Sequence, residues 1–344
     1  MSTNNADTFE QATLLYKVIS KLGWLGKPAD IAEKVKQLQR GLPKEDEFVA
    51  LCLWMGKCSL IHKLEQEQFP GLSKEKYQVP DFLGVFSLCN EDIPVLIEVK
   101  KTADIKIKPF TSVYHSRLMN YASLLKLPLL IAWHIERPNL WCLFDIGQVR
   151  RRRSAFHIDF QAAMNNNLLG VLFDDVIIKL KPGNRVLFRI RKEQGSEVRD
   201  SHTGRLQRFS GTLEEIVWFS SRDQRIAANS VLGNLLESIF YLVDTDGKES
   251  EDEQYMTLTF YTTREENLFA HQLLGVMAFG LAILKDDKLN WLEVIKNNKF
   301  RMDYLSVRSA LSQGVKDGAI AAIIKQNPAV RPPFLQTVMG KTSV

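Results

Sequence analysis

Apolar residues recur at helical spacing across Thr8 to Leu22 (Leu14, Leu15, Val18, Ile19, Leu22) and again across Ala29 to Arg40 (Ile31, Val35, Leu38). The chain is therefore predicted to open with two helices separated by the Gly23 to Pro28 break. A third helix is predicted from Pro43 to about Lys57, with Glu45, Asp46 and Glu47 in its first turn, where the helix dipole favours acids. From Cys58 the period changes. Segments 59–68, 77–88 and 93–101 are short, with alternating or continuous apolar runs, and are separated by Pro70-Gly71 and by Cys89-Asn90-Glu91-Asp92, so they read as three strands. Helical spacing returns from Phe110 to Lys126 and stops before Pro128, and two more strands follow at Leu129–Ile135 and Leu140–Phe144. Helix, three strands, helix, two strands is the order of a compact α/β unit.

Two further strands, Val176–Leu180 and Val186–Ile190, flank the turn Lys181-Pro182-Gly183-Asn184. Beyond Gly211 the pattern predicts a mainly helical region interrupted by a strand at Tyr255–Thr262, with the 302–326 tract read as helical. The expected organisation is an N-terminal helical extension (1–42), an α/β core (43–147), a basic β-containing region (148–210) and a mainly helical C-terminal domain (211–344).

The 344 residues are 45% hydrophobic and 25% charged, which supplies real cores and excludes disordered and fibrous classes. The uncharged run Asn267 to Leu284 contains Asn267, His271, Gln272 and two glycines, so it reads as a buried helix and not a membrane span. The N-terminus lacks a basic segment leading into an apolar one, so the expected location is cytoplasmic. The four cysteines (Cys52, Cys58, Cys89, Cys142) have neither paired CxxC spacing nor nearby histidine clusters and read as reduced core thiols. The net charge of +5 is unevenly spread: thirteen basic and six acidic residues lie between Gln148 and Arg208, and the remainder has two more acids than bases. Arg150, Arg151, Arg152 and Arg153, with Lys179, Lys181, Arg185, Arg189 and Arg191, are the residues expected to track nucleic-acid phosphates.

The stretch that carries chemistry is Val79-Pro80-Asp81-Phe82, followed after a turn by Ile97-Glu98-Val99-Lys100. Residues two apart on a strand share a face, so Glu98 and Lys100 stand side by side. A hairpin centred between Cys89 and Asn90 would set Asp81 directly opposite Glu98, and a slip of two or three residues would leave them diagonal neighbours. Two carboxylates suit a hard cation such as Mg²⁺. The ion polarises a phosphoryl oxygen, and a lysine beside it can hold or deprotonate a water and offset phosphorane charge.

These residues resemble the PD-(D/E)XK nuclease superfamily, which includes restriction endonucleases and archaeal Holliday-junction resolvases. The motif reads Pro80-Asp81, a gap of 16 residues, then Glu98-Val99-Lys100, and the element order over residues 43 to 146 is similar to the family's core. The resemblance implies a restriction-endonuclease-like α/β core, a central mixed sheet flanked by helices. It implies Asp81 and Glu98 as metal ligands with the Val99 carbonyl, Lys100 as the catalytic lysine, and an acid from the first core helix, for which Glu47 is the better match and Glu45 the second. Some relatives carry a Gln and a Tyr four apart on the helix after the motif; this chain has Arg117 and Tyr121 at that spacing, and Arg117 is a candidate phosphate contact. The expected activity is a Mg²⁺-dependent endodeoxyribonuclease, with Mn²⁺ as substitute ion, DNA as partner, RNA left open, and a homodimer by analogy. No membrane and no nucleotide cofactor are expected, since Gly340-Lys341-Thr342 lacks the upstream glycine of a P-loop. Asp244 to Glu253 has its Gly fourth and not sixth, so it reads as an acidic surface loop instead of a calcium loop. The competing readings are a non-catalytic nucleic-acid-binding protein on the same scaffold and a helical interaction protein.

Overall fold

A computed structural model describes residues 44–105, 110–137, 139–152, 155–157, 159–227, 230–240, 245–262, 271–275, 284–285, 288–289 and 303–340. The two predicted N-terminal helices, Arg153 and most of the uncharged 267–284 run lie outside the described residues. Two compact units are present: residues 1–175, 283–299 and 326–344 form the first, and residues 176–282 and 300–325 the second.

The first unit runs α1 (44–55), β1 (Cys58–Lys63), α2 (Ser73–Lys76), β2 (Phe82–Leu88), β3 (Glu91–Thr102), β4 (Phe110–Thr111), α3 (Ser112–Leu125), β5 (Leu129–Ile135) and β6 (Leu140–Asp145). Then come β7 (Arg150–Arg152), β8 (Ala155–His157), α4 (Phe160–Asn165) and α5 (Leu169–Leu172). Its central sheet has the order β1-β2-β3-β5-β6, and only β3 and β5 pair in parallel. Strand β5 is buried along its whole length, with His134 the one polar residue in an otherwise apolar run. Its parallel neighbour needs a crossover, and α3 supplies it.

Each face of the sheet has its own core. On one, Phe48 of α1 packs within 6.5 Å of the Phe82, Trp141 and Phe173 rings. On the other, Leu118 and Ala122 of α3 and Ala163 of α4 close over Leu96, Ile131 and Trp133. Thr111 caps α3 by accepting from the Tyr114 N–H, and Lys126 ends it in the left-handed conformation just before Pro128.

The second unit contains β9 (Val176–Leu180), β10 (Arg185–Lys192), β11 (Val198–Arg199), β12 (Leu206–Arg208), β13 (Gly211–Phe219), β14 (Arg225–Ala227) and α6 (Val231–Phe240). It continues with β15 (Thr245–Glu251), β16 (Tyr255–Thr262) and β17 (His271–Gln272), and after β18 (Leu284–Lys285) and β19 (Lys288–Leu289) of the first unit it ends with α7 (Tyr304–Asp317) and β20 (Ile320–Lys325); α8 (Pro333–Gly340) closes the first unit. An antiparallel sheet of order β14-β13-β10-β16-β15 buries Val186 and Trp218 against Leu232 and Leu236 of α6 and Ala310 of α7.

The helical expectation for 211–344 is corrected here. Leu213, Ile216 and Val217 have helix-like spacing, yet they form β13 because partner strands lie on both sides of it. The acidic stretch at 245–251 is an edge strand, held by its backbone ladder to β16 and not by apolar side chains. The 302–326 tract divides at Gly318, whose positive φ caps α7 before β20 begins. The division at 147/148 also differs from the observed units: residues 148–175 belong with the α/β core.

Candidate active site

Hairpin β2–β3 pairs Phe82 with Ile97, Leu83 with Leu96 and Leu88 with Glu91. The turn is therefore Cys89-Asn90, and both residues have positive φ (53° and 63°), the handedness that matches the twist of the flanking strands. One step beyond the last pair, this register sets Asp81 opposite Glu98. Asp81 is fixed there by the Val99 N–H, which donates to its Oδ2 at 2.7 Å, while its own carbonyl accepts from Leu64 N–H at 2.9 Å.

Glu98 is 1% exposed. Its Oε1 accepts from both the Lys100 ammonium and the Tyr114 hydroxyl, and Lys100 Nζ lies 3.1 Å from the same hydroxyl oxygen. Its other oxygen, Oε2, is buried without a hydrogen-bond partner among the described residues. Burial and then the Glu98 carboxylate push the Asp81 carboxyl well above its usual range, against the opposing pull of Lys100; Glu45 adds to the rise and the Val99 N–H opposes it. Burial disfavours charge on Lys100, but Glu98, Tyr114 and Asp81 outweigh it and raise the ammonium's pKa. Tyr114 is raised by burial and then by Glu98. The site thus holds two close carboxyl groups, a lysine whose ammonium form is favoured, and one phenol.

Glu47 does not join this group. Lys101 of β3 is level with His134 of β5, which pairs with Trp141 of β6, so these three share the sheet face opposite to Glu98 and Lys100. Glu47 is 3% exposed and binds on that opposite face: its Oε1 accepts from Trp141 Nε1 at 3.0 Å and its Oε2 from Lys44 at 2.6 Å. The acid of α1 whose charge reaches Asp81 is Glu45, paired with Lys63 at 2.5 Å. Two positions apart on a helix differ by about 200°, so only one of the two can face a given strand end. Val99 meets Asp81 through its N–H. Arg117 spends its Nε on the Glu75 carbonyl at 2.9 Å, bracing α2 against α3.

Motif spacing alone does not single out Tyr114. Its signal in the sequence is its place three residues after Thr111, at the capped start of the helix that follows the Glu-x-Lys strand.

The basic residues divide between the units. Arg150 and Arg151 are exposed, and β7 pairs with β8, whose Phe156 stacks on His115 of α3 at 3.8 Å, next to Tyr114. Arg152 lies on the same strand. In the second unit, Arg185 pairs with Asp223, and Arg191 with Glu214 at 2.8 Å. Arg189 lies over the Tyr255 ring at 3.9 Å. Lys179 and Lys181 are partly exposed on and just after β9. Two of the basic residues singled out by the sequence, Arg185 and Arg191, are thus paired with acids distant along the chain.

The described residues contain no group of three or more His, Cys, Asp and Glu side chains able to hold a metal ion. An ion at this site would rest on two carboxylates, backbone and water, a pattern Mg²⁺ accepts. The unpartnered Glu98 Oε2 beside Asp81 fits such an ion, because a buried carboxylate oxygen without a donor is costly. Among the described residues no helix is long and apolar enough to cross a membrane.

No family model matches the sequence, and no curated protein matches it. Among solved structures, one that it resembles is Hjc, a Holliday junction resolvase from the archaeal hyperthermophile Archaeoglobus fulgidus. The two are 18% identical, the match covers 33% of this chain and 88% of that one, and the TM-score is 0.26.

Proposed function

We infer that the chain is a metal-dependent nuclease that hydrolyses DNA phosphodiester bonds, with Asp81 and Glu98 as the carboxylates that hold Mg²⁺ or Mn²⁺ and Lys100 as the catalytic lysine. The observation that carries this reading is the buried Glu98 carboxylate, pinned through Oε1 and unpartnered at Oε2, facing a second carboxylate across the hairpin. Like charges held together out of water destabilise a fold, and such arrangements concentrate at functional sites. Bound there, the ion would supply a Lewis acid for the phosphoryl oxygen.

The remaining roles belong to the chain. Asp81 is oriented by the Val99 N–H, and Glu98 by Lys100 and Tyr114. Lys100 is a proton donor in this arrangement, so it would orient the attacking water and offset charge on the phosphorane instead of removing a proton at the outset. Glu45, paired with Lys63, would stand behind Asp81 as an outer acid. Arg150 and Arg151, reached from α3 through Phe156, would hold the backbone of the substrate.

The test uses supercoiled, linear and branched DNA with Mg²⁺, Mn²⁺ or chelator, for the wild type and Lys100→Ala. Metal-dependent nicking that the variant loses while DNA binding persists is the expected result. Salt-sensitive binding with no cleavage under any metal would replace it with the non-catalytic reading, and neither activity would remove nucleic acid altogether.

A further inference from the structure

Strand β10 runs through the middle of the five-stranded sheet of the second unit, and its residues alternate between two unlike faces. Val186 and Phe188 point to the side packed on α6 and α7. Arg185, Leu187, Arg189 and Arg191 point to the other side. Register carries that second face across the sheet: Arg185 is level with Phe219 and Tyr261, Leu187 with Val217 and Thr259, Arg189 with Thr257 and with Glu215, whose carboxylate is taken by Arg225, and Arg191 with Thr212 and Tyr255. Lys248 of β15 is level with Thr259 and joins it.

Three rings and three cations on this face meet in pairs. Arg185 lies 4.6 Å from the Phe219 ring centre, Arg189 3.9 Å from Tyr255 and Lys248 5.5 Å from Tyr261. Arg189 and Lys248 are exposed, and neither forms a salt bridge among the described residues. An antiparallel sheet with one wet face needs only polar residues there. Stacked arginine and tyrosine planes flanked by threonine hydroxyls are more specific: they offer flat surfaces for bases and charges for phosphates at strand spacing.

We propose that this outer face of β10 and β16 binds single-stranded DNA, with bases stacking on the Tyr255–Arg189 and Tyr261–Lys248 pairs and phosphates drawn to Arg189 and Lys248. The choice of DNA as occupant rests on the nuclease reading; the platform itself rests on sheet register and the ring contacts. A nuclease carrying such a platform would act on substrates with an unpaired strand.

The test is fluorescence anisotropy of the full chain with labelled oligo-dT, a blunt duplex and oligo-U, in chelator so that nothing is cut. Stacking of one base on one ring corresponds to roughly 5- to 150-fold in affinity. Tyr255→Ser and Arg189→Ala should each weaken oligo-dT binding within that range, with duplex binding within about twofold of wild type. Arg189→Ala should also lower the salt slope by about one. Tyr255→Phe keeps the ring and should bind as wild type, which separates stacking from loss of fold. Lys100→Ala should bind oligo-dT normally, so cleavage can fail while the platform stands, or the reverse. Unchanged oligo-dT affinity in Tyr255→Ser and Arg189→Ala, or tighter binding of oligo-U or duplex than of oligo-dT, overturns the proposal.

Discussion

Replacing Lys100 by Met isolates the electrostatics of the candidate site from its catalysis. Glu98 is almost wholly buried and has two donors on one oxygen and none on the other. Without the ammonium, a buried carboxylate would keep only the Tyr114 hydroxyl. Removing one partner of a fully buried ion pair costs about 3–5 kcal/mol. The Lys100 side chain is 38% exposed, so water already screens part of the pair, and about 2–3 kcal/mol is the fitting expectation. For a unit of this size that is on the order of 5–10 °C in melting temperature. Glu98→Gln needs no cation, so the double variant Glu98→Gln/Lys100→Met should recover most of the loss. Adding Mg²⁺ should stabilise Lys100→Met as well, since an ion held at about a hundred times its Kd contributes about 2.7 kcal/mol. Glu98→Gln should lose that metal response. Scanning calorimetry on the four proteins, with and without Mg²⁺, measures all of this. Equal melting of Lys100→Met and wild type, additive effects in the double variant, or an undiminished metal shift in Glu98→Gln would refute the reasoning.

Tyr114→Phe removes a hydroxyl that touches both Glu98 and Lys100; it should lower cleavage about tenfold and weaken Mn²⁺ affinity in a titration read without turnover. Glu47→Ala should destabilise by about 1–3 kcal/mol in denaturant melts, because it orphans the Trp141 N–H, while Glu45→Ala should fall more on cleavage than on stability. His134 is buried, and burial first, then Lys44, hold its pKa below the usual histidine value despite Glu47 and Asn139. The unfolded chain then binds the proton more readily, so stability present above pH ~6.5 is lost as pH falls from there towards the depressed native value, and His134→Gln should flatten that limb of the stability curve. Arg150→Ala should weaken duplex binding and reduce its salt slope by about one, whereas Arg185→Ala and Arg191→Ala, whose charges are paired with Asp223 and Glu214, should change it less.

Local rules made much of the first unit legible. Alternation and turn residues mark β2 and β3, and Pro128 and Lys126 mark the end of α3 within a residue or two. The pairing of Asp81 with Glu98 follows from counting outward from Cys89-Asn90, because an antiparallel hairpin with a two-residue turn has a single register. Strands β9 and β16 carry enough β-branched and aromatic residues to be read directly.

Other features depend on which surfaces meet. Glu45 and Glu47 look alike in sequence, and only the packing of Phe48 against Phe82 and Trp141 fixes the rotation of α1 that sends Glu47 into one core and Glu45 towards Asp81. Tyr114 comes to Glu98 because the crossover lays α3 over the face that carries it. Strand β15 exists through its neighbour's backbone, which leaves little trace in its own side chains. The charge surplus between Gln148 and Arg208 is likewise a property of the sequence, but the pairing of Arg191, Arg185 and Arg199 with Glu214, Asp223 and Glu251 is a property of the fold, because these acids are distant along the chain and come close only when the strands and turns that carry them pack together. Sequence determined which chemical groups the protein has and the period of each segment; tertiary structure decided which of them share a face, since facing depends on helix rotation and strand order, and both are set by packing.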